Sequence, residues 1–175
     1  RHAAKGADRM SLAQDGWQVF GPEPATRAWS ARAHRAACAA VDNPAFAHWH
    51  QCEGTWFVGL DALPNDAAGR VAGSDPLSGA AVACAMAHAG RWPPLHPAQV
   101  SVVYPGYPRP RSGETDAGFR YRLVRDAAHV DGVIGLGDPK RRYVREPHQF
   151  ILGIALNNAS PDAAPLVAWR GSHRI

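Results

Sequence analysis

Apolar positions recur near helical spacing in the first half of this chain and fall into short strand-like runs in the second. Over residues 26–41, Trp29, Ala33, Ala37 and Ala40 recur among Ala and Arg. That spacing predicts a helix, with Thr26 as N-cap just after Pro24. A second helix is expected over residues 78–90, with Ser78 as cap and Gly90 as stop. Runs rich in β-branched and aromatic residues predict strands at 17–20, 53–60, 99–104, 119–130, 150–156 and 166–169. Within 119–130, Phe119, Tyr121 and Leu123 take one face and Arg120 and Arg122 the other, the period of two that a strand requires. The run 150–156 is nearly continuously apolar and is expected to be a central strand. Turns are expected at Leu63-Pro64-Asn65-Asp66 and Tyr104-Pro105-Gly106-Tyr107-Pro108, with loops at 109–118, 132–146 and 157–164. Helices early and strands late predict an α+β fold, with N-terminal helices packed on an antiparallel sheet.

Composition narrows the class. A length of 175 residues suits one domain, and 46% hydrophobic residues supply a core. The 17 glycines and 15 prolines are spread along the chain, which favours a turn-rich fold over a helix bundle. The net charge of +4 comes almost wholly from arginine, with lysine only at positions 5 and 140. No basic stripe is interleaved with aromatics, so no nucleic-acid partner is expected. No apolar stretch approaches the roughly 20 residues of a membrane span. Cys38, Cys52 and Cys84 form no Cys-x-x-Cys motif. Reduced thiols and a cytoplasmic protein are therefore expected.

Candidate chemistry centres on His129-Val130-Asp131, with Gly132 directly after it. On a strand, residues two apart point to the same side, so the imidazole and the carboxylate converge on one point. They supply two ligands of a 2-His-1-carboxylate facial triad, which leaves metal positions open. The tripeptide alone is equally a strand-end histidine and a turn aspartate. Zinc is also compatible with these ligands. A zinc hydrolase would further need a general base and a substrate pocket, and neither is recognisable. The pair is set apart by the succession after it: Glu146-Pro147-His148, the apolar run 150–156, and Ala164-Pro165-Leu166-Val167 leading to Gly171-Ser172-His173.

That succession resembles the Fe(II)/2-oxoglutarate-dependent oxygenases, in their phytanoyl-CoA-dioxygenase-like branch. The resemblance covers about Val100 to the C-terminus. It departs where Trp169-Arg170 stands in place of the usual Ile/Val-Pro before the glycine. It implies a double-stranded β-helix (jelly-roll, cupin-like) core. Residues 1–98 would be its N-terminal helical and strand support, and residues 99–175 the first part of the core, within one domain. It implies Fe(II) held by His129 and Asp131, 2-oxoglutarate as cosubstrate, and hydroxylation of a small molecule or side chain. The family pattern places a distal histidine ligand and a carboxylate-gripping arginine beyond Gly-Ser-His. The chain is accordingly expected to be part of a longer polypeptide, with His173 beside the metal ligands and not among them.

A carboxylate of 2-oxoglutarate is matched by a planar guanidinium. Arg122 and Arg125, on the expected strand leading to His129, are the candidates within this chain. The remaining clusters read as structural: Lys140-Arg141-Arg142 with Arg145 as a solvated loop, Glu146 as an ion-pair partner of a nearby arginine beside a partly buried His148, and His48-Trp49-His50 as packing. From a different class, a non-catalytic cupin-like binding module with a degenerate or structural metal site fits the same residues.

Overall fold

The structure is a computed structural model that describes residues 12–125, 129, 131–145, 149–160, 163 and 166–174. Val130, Glu146, Pro147, His148, Ala164 and Pro165 of the motifs above lie outside the described residues.

A short helix α1 (Leu12–Asp15) precedes the main helix α2 (Pro24–Val41). Proline in the first turn suits α2, because that N–H has no intrahelical acceptor and φ is already helical. Trp29, Ala33, Ala37 and Ala40 form its buried stripe, as their spacing requires. Alanine at three of these four positions lets the helix lie close against the sheet. The turn Pro44–Trp49 is a 3-10 helix, and Asn43 accepts the Ala45 N–H at its start.

The sheet runs β1 (His50–Gln51), β2 (Trp56–Leu63) and β3 (Ala98–Val103), antiparallel in that order. Phe57 pairs with Val102 and Gly59 with Val100, and the register then shifts so that Leu63 pairs with Ala98. Asp61 sits inside that shift with φ +53, the local kink of a bulge. Gly59 is needed there, since a Cβ would lie 2.6 Å from the Phe57 ring and 2.8 Å from Ala62 Cβ. The core joins the α2 stripe to Phe57, Ala62, Leu63, Val71, Leu77, Val82 and Val100.

Helix α3 (Ala80–Ala89) ends at Gly90, whose φ of +73 is the left-handed stop expected there. Its start differs from expectation. Gly79 takes the N-cap position, and the Ala80 N–H donates to Glu23 Oε2 at 2.8 Å, so the cap comes from the residue preceding α2. Thr26, expected to cap α2, instead donates its hydroxyl to the Ser78 carbonyl, and Glu23 occupies the α2 N-cap position.

The strand expected over 119–130 is corrected. Asp116–Val124 is a helix, α4, and Thr115 caps it by accepting the Gly118 N–H. Gly118, Phe119 and Arg122 are the half-buried positions, a spacing of three and four, while Tyr121, Leu123 and Val124 face solvent. Apolar residues at alternate positions imitated a strand, but the cap and local packing selected the helix. The connection expected over 132–146 contains a hairpin instead, β4 (Val133–Leu136) and β5 (Arg141–Val144).

Residues 150–156 have no ladder partner among the described residues, yet they keep strand-like alternation. Phe150, Leu152, Ile154 and Leu156 are half-buried and Ile151 is exposed. Neither 17–20 nor 166–169 joins a sheet. The chain is thus α+β, and its described residues form one three-stranded and one two-stranded antiparallel sheet. No helix among the described residues is long and apolar enough to cross a membrane.

Candidate metal and cosubstrate site

His129 and Asp131 stand at the entry to the β4–β5 hairpin, where the Gly132 carbonyl accepts the Arg145 N–H at 2.9 Å. Gly132 has φ +78, a left-handed turn position that aspartate-glycine sequences favour. The pair does converge, with His129 Nε2 3.5 Å from Asp131 Oδ1. Asp131 and Gly132 lie in a turn, and Val130 between the pair lies outside the described residues. The side chains are 71% and 46% exposed, so water screens their attraction.

Two metal–ligand bonds of about 2.1 Å place their donors about 3 Å apart at a right angle and about 4 Å apart when opposed. The 3.5 Å separation is wider than that of adjacent octahedral positions and is that of a direct ion pair between the two side chains, so the donors would have to close slightly to share adjacent positions on one ion. Among the described residues, no group of three or more His, Cys, Asp or Glu side chains gathers around a common point.

The arginines are placed differently from one another. Arg122 is half-buried on α4 and makes a two-pronged ion pair with Glu114, Nε to Oε1 and Nη2 to Oε2, both at 2.8 Å. Nη2 also donates to the Arg109 carbonyl at 2.8 Å. This pairing, first through the Arg122 side-chain hydrogen bonds, lowers the Glu114 pKa to about 2 and raises that of Arg122. Glu114 gives no signal of its own in the sequence, because its partner comes close only once α4 forms. Arg125 is the exposed C-cap of α4, with its guanidinium carbon 5.8 Å from the Tyr121 ring centre.

His173 lies on a 3-10 turn (Ser172–Arg174) packed on α1, with Nε2 3.1 Å from the Ala13 carbonyl oxygen. Its ring fills the space over Gly16, where a Cβ would collide with it. Arg170 pairs with the buried carboxylate of Asp15, and the Gly171 N–H donates to the Asp15 carbonyl at 2.9 Å. His50 packs its ring on Phe57, centroids 4.9 Å apart, in keeping with a structural role for that histidine. Arg141 and Arg142 are exposed on β5, and Arg145 lies over the Tyr143 ring. Tyr104 is packed against the core, and desolvation raises its phenol pKa.

The chain is α+β, and His129 and Asp131 approach each other at the entry to the β4–β5 hairpin. Comparison with protein-family models, with curated proteins and with solved structures yields no match for this chain.

Proposed function

We propose that this chain carries part of the metal face of an Fe(II)- and 2-oxoglutarate-dependent oxygenase that hydroxylates a small molecule or side chain. The core implied by the resemblance is a double-stranded β-helix. The observation that carries the reading is the 3.5 Å approach of His129 Nε2 to Asp131 Oδ1 at exposed positions. The order His-x-Asp, then Gly-Ser-His, supports it. Bound Fe(II) would supply oxidative decarboxylation of 2-oxoglutarate by dioxygen to succinate and carbon dioxide, with one oxygen atom entering succinate and the other the hydroxylated substrate. Asp131 would contribute negative charge to a divalent ion, and His129 an imidazole nitrogen. Of the two candidate arginines, Arg125 has the exposed guanidinium for a carboxylate, because Arg122 is engaged by Glu114.

Anaerobic reconstitution of the protein and of its His129→Ala and Asp131→Ala variants tests the site. Each variant, made in the full-length protein, loses most of the bound iron and, once dioxygen is admitted, the slow, substrate-free conversion of 2-oxoglutarate to succinate. Unchanged iron stoichiometry in both variants overturns the assignment. The engagement of Arg122 favours a second reading, a cupin-like binding module with a structural metal. That reading predicts iron binding through the same two residues without succinate formation.

A further inference from the structure

A half-open cavity of about 210 Å³ lies between α2, the 92–98 loop and the extended segment 150–156. Neither His129 nor Asp131 lines it, so its occupancy is independent of any oxygenase activity. Its walls are Trp29, Leu77, Trp92, Leu95, Leu152 and Ile154, with Phe150 stacked on Trp92 at a centroid distance of 6.0 Å and an interplanar angle of 21°.

The side-chain polar groups of Trp29 and Asn65 in this wall are bonded inside the protein. Trp29 Nε1 donates to the Gly69 carbonyl at 2.6 Å. Asn65 Nδ2 donates to the His96 carbonyl at 2.8 Å, and Asn65 Oδ1 accepts the Ala98 N–H at 2.7 Å. Water needs two to four polar partners to be held in a cavity, and an apolar cavity of about 150 Å³ takes up a benzene ring in preference. A carboxylate or ammonium placed among these apolar side chains loses hydration and meets no charged side chain in the wall. The one ionisable ring at the site is His96, which is exposed and so belongs to the rim.

We propose that this cavity binds a small, uncharged, apolar molecule: one aromatic ring with a short alkyl substituent, or an aliphatic group of that bulk. The near-parallel Trp92 and Phe150 rings and the side chains of Leu77, Leu95, Leu152 and Ile154 form its apolar wall, and one side is open to solvent.

Ethylbenzene is the probe and phenylacetate its charged counterpart of similar size. Binding is read from the indole N–H signals of Trp29 and Trp92 in isotope-labelled protein. Ethylbenzene shifts both signals, and phenylacetate binds at least about tenfold more weakly because its carboxylate is left unpaired. Ala98→Phe and Ile154→Trp each fill the cavity and abolish the ethylbenzene shifts while far-UV circular dichroism stays that of the parent. The bond to Asn65 Oδ1 is donated by the Ala98 backbone N–H and does not use the Ala98 side chain, so it survives the substitution. Absence of shifts in the parent protein, equal binding of phenylacetate, or unchanged binding in a folded, filled variant overturns the proposal. Should both variants unfold, the ethylbenzene–phenylacetate comparison on the parent protein decides it.

Discussion

Glu114 and Arg122 illustrate how a residue's partner decides its chemistry. In the sequence Arg122 reads as a guanidinium suited to a dicarboxylate, yet it is held on two prongs by a carboxylate eight positions earlier. Glu114 has a folded-state pKa depressed to about 2 from 4.5. A depressed carboxylate pKa adds stability above the unfolded value, and that stability is lost as pH falls through the folded value. The stability difference between the protein and Glu114→Gln is therefore largest above pH 4.5 and shrinks as pH falls toward 2. Denaturant titrations across that range measure it, and a pH-independent difference would show that the pair contributes nothing. Asn65 makes a second residue-scale case. It is 8% exposed and bridges the 64–66 turn to His96 and Ala98. Asn65→Ala leaves the Ala98 N–H and the His96 carbonyl without this partner and should destabilise by about 2 kcal/mol, read as a lower denaturation midpoint.

Among the elements, helix α3 depends on a residue outside itself. The Ala80 N–H is capped by Glu23, 57 positions away, through the gap left by Gly79. Glu23→Ala removes that acceptor and should cost roughly 1 kcal/mol, the usual worth of a cap. Hydrogen exchange localised to the first turn of α3 distinguishes this from general loosening. Helix α4 shows the opposite case, a cap supplied by the residue directly before the helix. Thr115 precedes Asp116, so an N-cap residue leads into an acidic first turn that complements the helix dipole. Thr115→Ala should reduce helicity in 116–124 and weaken the Glu114–Arg122 pair with it, since that pairing needs the helical placement of Arg122.

At the scale of the molecule, the two ends of the described chain are fastened together. Arg170, Gly171, His173 and Arg174 all bond to α1, at the Asp15 carboxylate and at the Asp15 and Ala13 carbonyls. Asp15 is 1% exposed, and its Oδ2 has no hydrogen-bond partner. Arg170→Ala should therefore lower the melting temperature more than Asp15→Asn, because it leaves a buried charge unpaired and the second variant removes the charge. Equal losses in the two variants would show that the strap acts through shape alone. The β4–β5 hairpin and the unpaired segment 150–156 expose Val144 and Ile151 at 65% and 67%, in contrast to the closed α2–sheet core.

The sequence by itself determined the α2 stripe, the strands at β2 and β3, the Gly90 stop and the α+β class. In each case a repeated local pattern matched one backbone period, or one residue suited one dihedral. It also singled out His129 and Asp131, because a separation of two residues keeps side chains near each other in a turn as well as on a strand. Tertiary structure decided the rest. Residues 119–124 carry an alternating pattern that a strand and a short helix both satisfy, and Thr115 with the Glu114–Arg122 pair selected the helix. The run 150–156 has the composition of a central strand, but a ladder needs a neighbour at hydrogen-bonding distance, and composition does not specify one. The cap on α3, the strap on α1 and the cavity beside Trp29 join residues tens to more than a hundred positions apart. Such contacts arise from how the elements pack, and no local pattern records them.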